Sequence, residues 1–330
     1  MPIHDVLVVG AGPAGLATAI AARHHGLDYL VVEKGVLVNS IFRFPTQMVF
    51  FTTPELLEIG GLPLVTPYDK PTRLEALRYY RRVVDTYDLR LSMGERVVTI
   101  EREDDGVFAV TTEREGVRRV REARHVVLAI GYYDLPNHLG IPGEELPHVA
   151  HYYSEAHAYY RQRVVIVGGK NSAVEAALDL YRNGSQVTLV HRRETLGDSI
   201  KYWVRPDIEN RIKEGAIAAW FETRVVEIRR GVVVVERAGQ RTELAADAVL
   251  LLIGYHPDAE LMRAAGIHCD EVSLVPEMSP DTFETNVPGL FLAGGATVGR
   301  HTGSIFIENG RFHGERIVNT IVARLSEAGD

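Results

Sequence analysis

A glycine-rich turn near the start of the chain has the residue types and spacing of a dinucleotide-binding site. Gly10-Ala-Gly12-Pro-Ala-Gly15 follows an apolar strand-like run and precedes an alanine-rich segment of helical composition. Gly10 allows a tight turn, Gly12 allows close approach of a pyrophosphate, and Gly15 allows the helix to pack on the strand. The helix N-terminus then offers unpaired N–H groups to phosphate oxygens. Glu33 ends the next strand-like run, where its carboxylate can bind ribose hydroxyls, so this turn predicts FAD or NAD.

A second pattern of strand, turn, helix and strand lies in the middle of the chain. Its turn is Gly168-Gly-Lys-Asn-Ser-Ala173, and its second strand, Val187–Val190, is followed by His191, Arg192 and Arg193. A basic cluster therefore stands where the first copy has a carboxylate. Because arginine binds phosphate through charge-assisted, often bidentate hydrogen bonds, this copy predicts NADP. Lys170 replaces the usual second glycine, and its ammonium group could either reach the phosphates or hold the cofactor slightly away.

The elements that position these two turns also occur twice. The apolar runs Val126–Tyr132 and Val249–Tyr255 are similar, and each ends in Gly-Tyr. A β-rich, hairpin-like stretch precedes each run, at 96–112 with 118–120 in the first copy and at 223–236 in the second. Each run is predicted to be a buried strand that returns to its sheet beside the bound nucleotide. The fold class predicted is α/β, with two Rossmann-like domains of three layers (ββα).

The two units are predicted to be nested rather than consecutive. A segment rich in proline and glycine at 133–143 indicates a linker after the first unit. After the second unit, the chain is expected to return to the first sheet with a strand and a final helix at 304–326. We therefore predict a discontinuous FAD-binding domain, residues 1–140 and 258–330, with an NADPH-binding domain, residues 141–257, inserted in it.

Composition excludes several other classes of function. A formal net charge of −8 argues against a nucleic-acid surface. Cys269 is the single cysteine, so no internal disulfide or Cys-x-x-Cys relay can form, and a cytoplasmic protein is predicted. The longest apolar runs are of strand length, and the first residues lack the features of a secretory signal, so no membrane partner is expected. The 13 histidines include no clear ligand pattern, and no metal site is predicted.

Several longer segments resemble the thioredoxin reductase-like flavoproteins and, within them, the YpdA-type bacillithiol disulfide reductase family. They are Glu33–Gly35, Ser40–Thr46, Phe50-Phe51, Gly131–Tyr133, His151–His157, Gly168–Ala173, Ser199–Lys201 with Trp203, Ile253–Pro257, Ile305–Gly310 and Phe312–Gly314. The resemblance covers essentially the whole chain, and Lys170 is what this family has at that position. It implies FAD at the first turn, NADPH at the second, the disulfide of a small cytosolic thiol as substrate, and a homodimer.

Two positions depart from related enzymes. The YpdA-type family typically has a cysteine inside its first glycine motif, beside the flavin, and this chain has Ala14 there. Ordinary thioredoxin reductases place aspartate after the last glycine, where this chain has Gly295. Without the thiol, the flavin would have to reduce a disulfide directly or reduce another acceptor. No catalytic side chain is therefore assigned with certainty.

The predicted cofactor contacts form two sets. For FAD they are Gly10, Gly12, Pro13, Ala14, Gly15, Glu33, Lys34, Ser40, Phe42, Pro45, Thr46, Val97, Ala129, Gly131, Gly294, Gly295, Ser304 and Ile305. For NADPH they are Gly168, Gly169, Lys170, Asn171, Ser172, Ala173, His191, Arg192, Arg193, Lys201, Ile253 and Gly254. Phe42, Phe44 and Tyr132 are candidates to line the flavin ring. The last helix is expected to begin near Gly303 and Ser304 and to direct its positive end at the flavin.

Three other functions stay open at this point. A ferredoxin- or flavodoxin-NADP reductase of the thioredoxin reductase-like type also lacks the dithiol, which suits Ala14. A flavin monooxygenase is suggested by Gly143, His151 and Tyr153, although their spacing does not match that family's linker motif. A sensor that binds nucleotides without turnover would explain both Ala14 and Lys170. The acceptor is thus a small molecule or a small redox protein.

Overall fold

The computed structural model describes residues 3–327, and the chain divides into two compact units. The first unit comprises Met1–Arg43, Met48–Leu135 and Tyr255–Asp330; the second comprises Phe44–Gln47 and Pro136–Gly254. The short segment Phe44–Gln47 therefore groups with the second unit, whereas the sequence assigns it to the first domain. No helix among residues 3–327 is long and apolar enough to cross a membrane.

The first unit is a mixed sheet with helices. Its strands are β1 (His4–Val9), β2 (Tyr29–Glu33), β3 (Leu91–Met93), β4 (Arg96–Arg102), β5 (Phe108–Arg114), β6 (Val117–Leu128) and later β17 (Leu290–Leu292). Its helices are α1 (Pro13–His24), α2 (Asn39–Phe42), α3 (Arg73–Thr86), α6 (Ala259–Ala264), α7 (Ile307–Gly310) and α8 (His313–Glu327), with 3₁₀ turns at Pro54–Leu56 and Gly294–Val298. The short strands β7 (Leu135–Pro136) and β16 (Tyr255–His256) lie at the two chain crossings.

The strand order of the first sheet explains how the glycine turn is positioned. The order is β3-β2-β1-β6-β5-β4, and β17 also pairs with β6. β1 is parallel to β2 and to the second half of β6, whereas β4, β5 and β6 form an antiparallel meander. One face of the parallel strands packs against this meander through Leu7, Phe108 and Val110, all buried. The turn after β1 thus lies at the carboxyl edge of parallel strands, where α/β sheets bind ligands.

The second unit repeats this plan. Its strands are β8 (Val149–Ala150), β9 (Arg163–Val167), β10 (Gln186–Val190), β11 (Ala218–Trp220), β12 (Arg224–Arg229), β13 (Val232–Arg237), β14 (Gln240–Ala245) and β15 (Ala248–Leu251). Its helices are α4 (Asn171–Arg182) and α5 (Arg205–Lys213), with a 3₁₀ turn at His157–Tyr159. The parallel order is β11-β10-β9-β15-β8, and β12-β13-β14 is an antiparallel meander.

Two cores cover the two faces of this second parallel sheet. Val165 and Val249 pack with Val233 of the meander, and Ile166 and Leu250 pack with the helices on the opposite face. Strands covered on both faces are expected to be continuously apolar, which is how β9 and β15 appear in the sequence. The arrangement confirms the predicted α/β class with two three-layer units.

Two sequence predictions are corrected here. Each hairpin-like stretch is a three-stranded meander. In the first unit, the stretch at 118–120 and the strand predicted from Val126 are one long strand, Val117–Leu128, and in the second unit Gln240–Ala245 adds a strand that composition did not mark. The helix predicted at 304–326 is two helices, and the last begins at His313 rather than near Gly303 and Ser304. Side-chain bonds of Asn309 cap the start of α7, since its amide donates to the Ser304 carbonyl and accepts from the Phe306 N–H, so helix begins at Ile307 rather than at Ser304.

A buried carboxylate joins the meander of the first unit to β3. The Glu95 side chain is 2% exposed and receives a bidentate pair of hydrogen bonds from Arg121, at 3.0 and 2.9 Å. The hydroxyls of Ser92 and Thr112 also donate to it. Burial by itself raises the pKa of Glu95, but these donors outweigh it and lower the pKa to about 2.

This pairing predicts acid-labile stability. Glu95 has a folded-state pKa below its unfolded value, so its contribution is present above about pH 4.5 and is lost as the pH falls toward 2. We expect Glu95→Gln to lower the free energy of unfolding by about 3 kcal/mol at pH 7. Urea titrations at pH 7 and pH 4 measure this effect. The matched control is Glu101→Gln, at an exposed position of β4. Equal stability of the two variants would contradict the assignment.

Candidate functional site

The first glycine turn has the backbone shape that its residues predict. Gly10 has a φ of +107°, and a Cβ there would lie 2.5 Å from the Ala129 carbonyl oxygen. A Cβ on Gly15 would collide with the carbonyl oxygen of Gly10. Both positions therefore require glycine, because β1, the turn and α1 approach one another closely. Ala129, a predicted contact, is the residue against which the turn packs.

Gly12 differs from its two neighbours because it faces open space. It is the N-cap of α1, with φ −76° and ψ 176°, and no side chain caps the helix. A Cβ built on Gly12 would meet nothing within 4 Å. The first-turn N–H groups of α1 thus border a space without side chains, which suits a pyrophosphate at a helix N-terminus. Pro13 occupies the first turn, where its missing N–H costs nothing.

The carboxylate of Glu33, at the end of β2, is fixed in position by backbone hydrogen bonds. Its two carboxylate oxygens accept hydrogen bonds from the backbone N–H groups of Ala11, at 2.8 Å, and Gly35, at 2.7 Å. The side chain is buried, and burial raises its pKa above the usual value of a glutamate. Each oxygen keeps a lone pair that could accept from a ribose hydroxyl. Neighbouring Lys34 forms an ion pair with Asp134 at 2.8 Å.

Ala14, which replaces the family's cysteine, lies against the glycine pair at the other end of the first unit. A Cβ on Gly294 would be 2.8 Å from the Ala14 Cβ. The Gly294 N–H donates to Nδ1 of His313, which is buried and stacks on Phe283. Burial, together with Arg316, lowers the pKa of His313 to about 4, so its ring is neutral and can accept this bond. Sequence reasoning missed His313, because a lone histidine at a helix start has no distinctive pattern.

Tyr132 explains the missing aspartate at Gly295. A Cβ on Gly295 would lie 2.5 Å from the Tyr132 ring, so the ring takes the space of a side chain there. Burial raises the pKa of the Tyr132 phenol to about 12. Of the other predicted aromatic residues, Phe42 is half exposed, and the Arg73 guanidinium lies over it, 5.4 Å from the centroid of the Phe42 ring. Phe44 groups with the second unit.

The remaining predicted FAD residues are distributed over both units. Gly131, Val97, Ser40, Ser304 and Ile305 belong to the first unit, whereas Pro45 and Thr46 belong to the segment that groups with the second. Val97 is buried in the meander, and Ser304 is exposed and donates to the His301 carbonyl. Most of the predicted set is thus brought to one unit.

The second glycine turn is also closely packed. Gly168 has a φ of +153°, and a Cβ there would lie 2.6 Å from the Leu252 carbonyl oxygen and 2.7 Å from the Ala173 Cβ. Lys170 is the N-cap of α4 in an extended conformation, and its side chain makes no capping bond. Because Lys170 is exposed, its ammonium group can turn toward an anion at the helix start. Ile253 and Gly254 follow β15 in the same unit.

His191 lies directly over this second turn. A Cβ on Gly169 would collide with the His191 ring, and Nε2 of His191 is buried without a hydrogen-bond partner among the described residues. Burial, and secondarily Arg193 and Arg192, lowers the pKa of His191. Arg192 and Arg193 are exposed beside it at the end of β10. A buried nitrogen without a partner and two exposed guanidinium groups suit a bound phosphate.

Lys201 and Asn171 have structural partners in addition to their predicted role. The buried Lys201 ammonium forms an ion pair with Glu175 of α4 at 2.8 Å. The Asn171 side chain accepts from the Lys201 N–H at 2.9 Å and donates to the Ser199 carbonyl at 2.8 Å. These bonds attach the segment after β10 to the start of α4. Ser172, in the first turn of α4, is exposed.

Comparisons with known proteins agree on one family. The family described as pyridine nucleotide-disulphide oxidoreductase matches residues 7–294. Bacilliredoxin reductase Bdr of Bacillus subtilis (strain 168) is 40% identical over 320 residues, which cover 96% of this chain and 97% of the relative. The structure of bacillithiol disulfide reductase Bdr (YpdA) from Bacillus cereus is 40% identical, with a TM-score of 0.96, over 98% of this chain and 100% of that chain.

A ferredoxin–NADP reductase is also similar, at lower identity. The enzyme of Ignicoccus hospitalis (strain KIN4/I / DSM 18386 / JCM 14125) is 28% identical over 302 residues, which cover 89% of this chain and 90% of the relative. The difference between 40% and 28% favours the disulfide reductases as the nearer group.

Proposed function

Because the chain belongs to the pyridine nucleotide-disulphide oxidoreductase family, we propose that it reduces a low-molecular-weight disulfide of the bacillithiol disulfide type with NADPH. The family uses FAD and NADPH, and the chain is an NADPH-dependent flavin oxidoreductase. The observation that carries the assignment of sites is the contrast between two similar units. The second strand of one unit ends in a buried carboxylate, Glu33, whereas that of the other is followed directly by His191, Arg192 and Arg193.

Each unit has a separate binding task in this proposal. In the first unit, the N–H groups at the start of α1 hold the pyrophosphate of FAD beside Gly12, and Glu33 accepts from its ribose. In the second unit, the start of α4 holds the pyrophosphate of NADPH, and Arg192 and Arg193 bind the 2′-phosphate. When bound, FAD would supply the two-electron redox chemistry between NADPH and the acceptor.

The overall reaction balances without a protein thiol. NADPH, one proton and a disulfide give NADP⁺ and two thiols, with the S–S bond broken by the two electrons. Ala14 cannot form a mixed disulfide, so the chain's own contribution is to bind and orient the disulfide near the Gly294 turn. The phenol of Tyr132, whose pKa is raised to about 12, stays protonated beside this turn.

An acceptor panel tests the proposal. With purified FAD-loaded protein and NADPH, we expect kcat/KM for bacillithiol disulfide to exceed that for ferredoxin or oxygen by about tenfold or more, equivalent to about 1.4 kcal/mol. The rate of NADPH oxidation measures each reaction. Ferredoxin as the best acceptor would instead support the ferredoxin reductase alternative. Absence of NADPH consumption with every acceptor would support the sensor alternative, and a long-lived peroxyflavin would support the monooxygenase.

The Ala14 position provides a matched pair of variants for the same panel. Ala14→Cys restores a thiol next to Gly294, and Ala14→Ser has a similar size without redox chemistry. If the flavin reduces the disulfide directly but slowly, turnover rises with cysteine and is unchanged with serine. Equal turnover in all three proteins would mean that the thiol is dispensable for this acceptor.

The assembly and location that we propose rest on separate observations. The homodimer that we propose follows from the resemblance to the YpdA-type family. A monomer by analytical ultracentrifugation would remove this part of the proposal. The single cysteine and the resulting lack of an internal disulfide support a cytoplasmic location.

A further inference from the structure

Three side chains with metal-ligand chemistry lie close together, two in the loop between β7 and β8 and one directly after β8. They are His138, Glu144 and His151, and one ligand atom from each lies within 4.8 Å of the other two. All three belong to the second unit. None of them belongs to either predicted nucleotide set, and the sequence predicted no metal site because the three residues have no recognisable spacing.

The separations of the ligand atoms suit a small tetrahedral site. Oε1 of Glu144 is 3.3 Å from Nδ1 of His138 and 3.7 Å from Nε2 of His151. In a tetrahedral zinc site with bonds of about 2.0–2.1 Å, neighbouring ligand atoms are about 3.3 Å apart. The centroids of the two imidazole rings are 4.6 Å apart, and the ring planes are tilted by 57°. A small rotation of exposed His138 would complete the geometry.

The carboxylate is fixed in advance by the backbone. Glu144 is buried, and its oxygens accept hydrogen bonds from the N–H groups of Leu139, at 3.0 Å, and Gly140, at 2.8 Å. These bonds leave Oε1 directed at both histidines. Backbone N–H donors that orient a ligand in this way are typical of the surroundings of metal sites in proteins.

The segment that carries the three residues is hydrogen-bonded to other strands of the second unit on both sides of Glu144. The Ile228 N–H donates to the Pro142 carbonyl at 2.9 Å, just before Glu144. The short strand β8, which immediately precedes His151, is parallel to β15, with Val149 opposite Val249. The ligand positions therefore rest on a scaffold that does not need the ion in order to form.

A second carboxylate lies at the exposed side of the cluster. An oxygen of Glu145 is 4.0 Å from Nδ1 of His138. Together with Glu144, this side chain places negative charge beside both imidazole rings, which suits a cation.

We propose that His138, Glu144 and His151 bind a borderline divalent cation of the Zn²⁺ type, with water or Glu145 in the fourth position. Two imidazole nitrogens and one carboxylate select zinc-like ions over Mg²⁺ or Ca²⁺, which prefer oxygen ligands. The ion closes the loop from His138 to His151, and its role is structural rather than redox. This site is independent of the proposed disulfide reduction.

Zinc titration of tag-free, chelator-treated, FAD-loaded protein tests the proposal. Competition with a chromogenic chelator should give one equivalent of Zn²⁺ per chain. His138→Gln, at an exposed position, is expected to weaken binding about a hundredfold, and so is His151→Gln. The matched control is His157→Gln, an exposed histidine of the same unit, which should bind as the wild type does. Bound Co²⁺ should show the visible absorption bands of a tetrahedral site, at longer wavelengths than the flavin absorption.

Two results would overturn the site. One is a wild-type protein that takes up no stoichiometric Zn²⁺, in which case the three residues form only a hydrogen-bonded cluster. The other is equal affinity of the His138→Gln and His157→Gln variants, which would place any bound zinc elsewhere. Thermal melts with and without Zn²⁺ establish that each variant is folded. Zn²⁺ should raise the Tm of the wild type and leave the Tm of His138→Gln and His151→Gln unchanged.

Discussion

Replacing Gly12 with leucine is expected to leave the protein folded and colourless. The backbone of Gly12 is extended, at φ −76° and ψ 176°, so any residue can adopt it. A Cβ there meets nothing within 4 Å, so the substitution disturbs no packing. The larger side chain instead fills the space in front of α1, where we place the FAD pyrophosphate. Charge-assisted bonds contribute about 1.5–3 kcal/mol each, so losing two of them should raise the Kd for FAD about a hundredfold or more.

The measurement compares flavin content and fold in a graded series. Gly12→Ala should retain part of the flavin, and Gly12→Leu almost none, while circular dichroism of both matches the flavin-free wild type. Gly10→Ala is the contrasting variant, because its Cβ would meet the Ala129 carbonyl at 2.5 Å and its φ of +107° is unfavourable for alanine. That variant should lose stability as well as flavin. Full flavin retention by Gly12→Leu would contradict the placement of FAD.

Removing both Arg192 and Arg193 is expected to abolish the preference for NADPH over NADH. Both guanidinium groups are exposed at the end of β10, beside His191, where a 2′-phosphate would lie. Two charge-assisted hydrogen bonds at about 1.5–3 kcal/mol each correspond to a loss of about a hundredfold or more in kcat/KM for NADPH. NADH lacks the 2′-phosphate, so its kcat/KM should change by no more than about threefold.

Arg230→Ala is the matched control for this experiment. Arg230 is an exposed arginine of the same unit, in the turn between β12 and β13, so it changes the net charge without touching the strand end. Its ratio of NADPH to NADH activity should equal that of the wild type. A double variant that keeps the wild-type ratio of NADPH to NADH activity would show that the basic cluster does not bind the 2′-phosphate. A loss of NADH activity as large as the loss of NADPH activity would show the same.

The sequence predicted the repeated elements well because their signals are local. Strand, glycine turn, helix and strand follow one another directly around Gly10 and Gly168, and Gly10, Gly15 and Gly168 each have a steric reason in the structure. Element ends that depend on side-chain bonds were harder to predict. The start of α7 at Ile307 depends on Asn309, whose amide bonds to Ser304 and Phe306, and no periodicity marks it.

Contacts between distant segments set the limit of the sequence prediction for the site. The ring of Tyr132 fills the space beside Gly295, and the His313 ring accepts from Gly294, although neither pair is close in sequence. The cluster of His138, Glu144 and His151 also forms only when the loop is folded back. In each case, the function of the residues depends on a short distance in space, which their spacing in the sequence does not indicate.

Anaerobic rapid mixing of the purified yellow protein with NADPH tests the central claim most directly. The two-unit account predicts that the flavin absorbance bleaches after NADPH is added, and that NADH at the same concentration bleaches it far more slowly. A protein that carries no flavin, or a bound flavin that stays oxidised in excess NADPH, would contradict the assignment of FAD to Gly12 and Glu33 and of NADPH to Arg192 and Arg193.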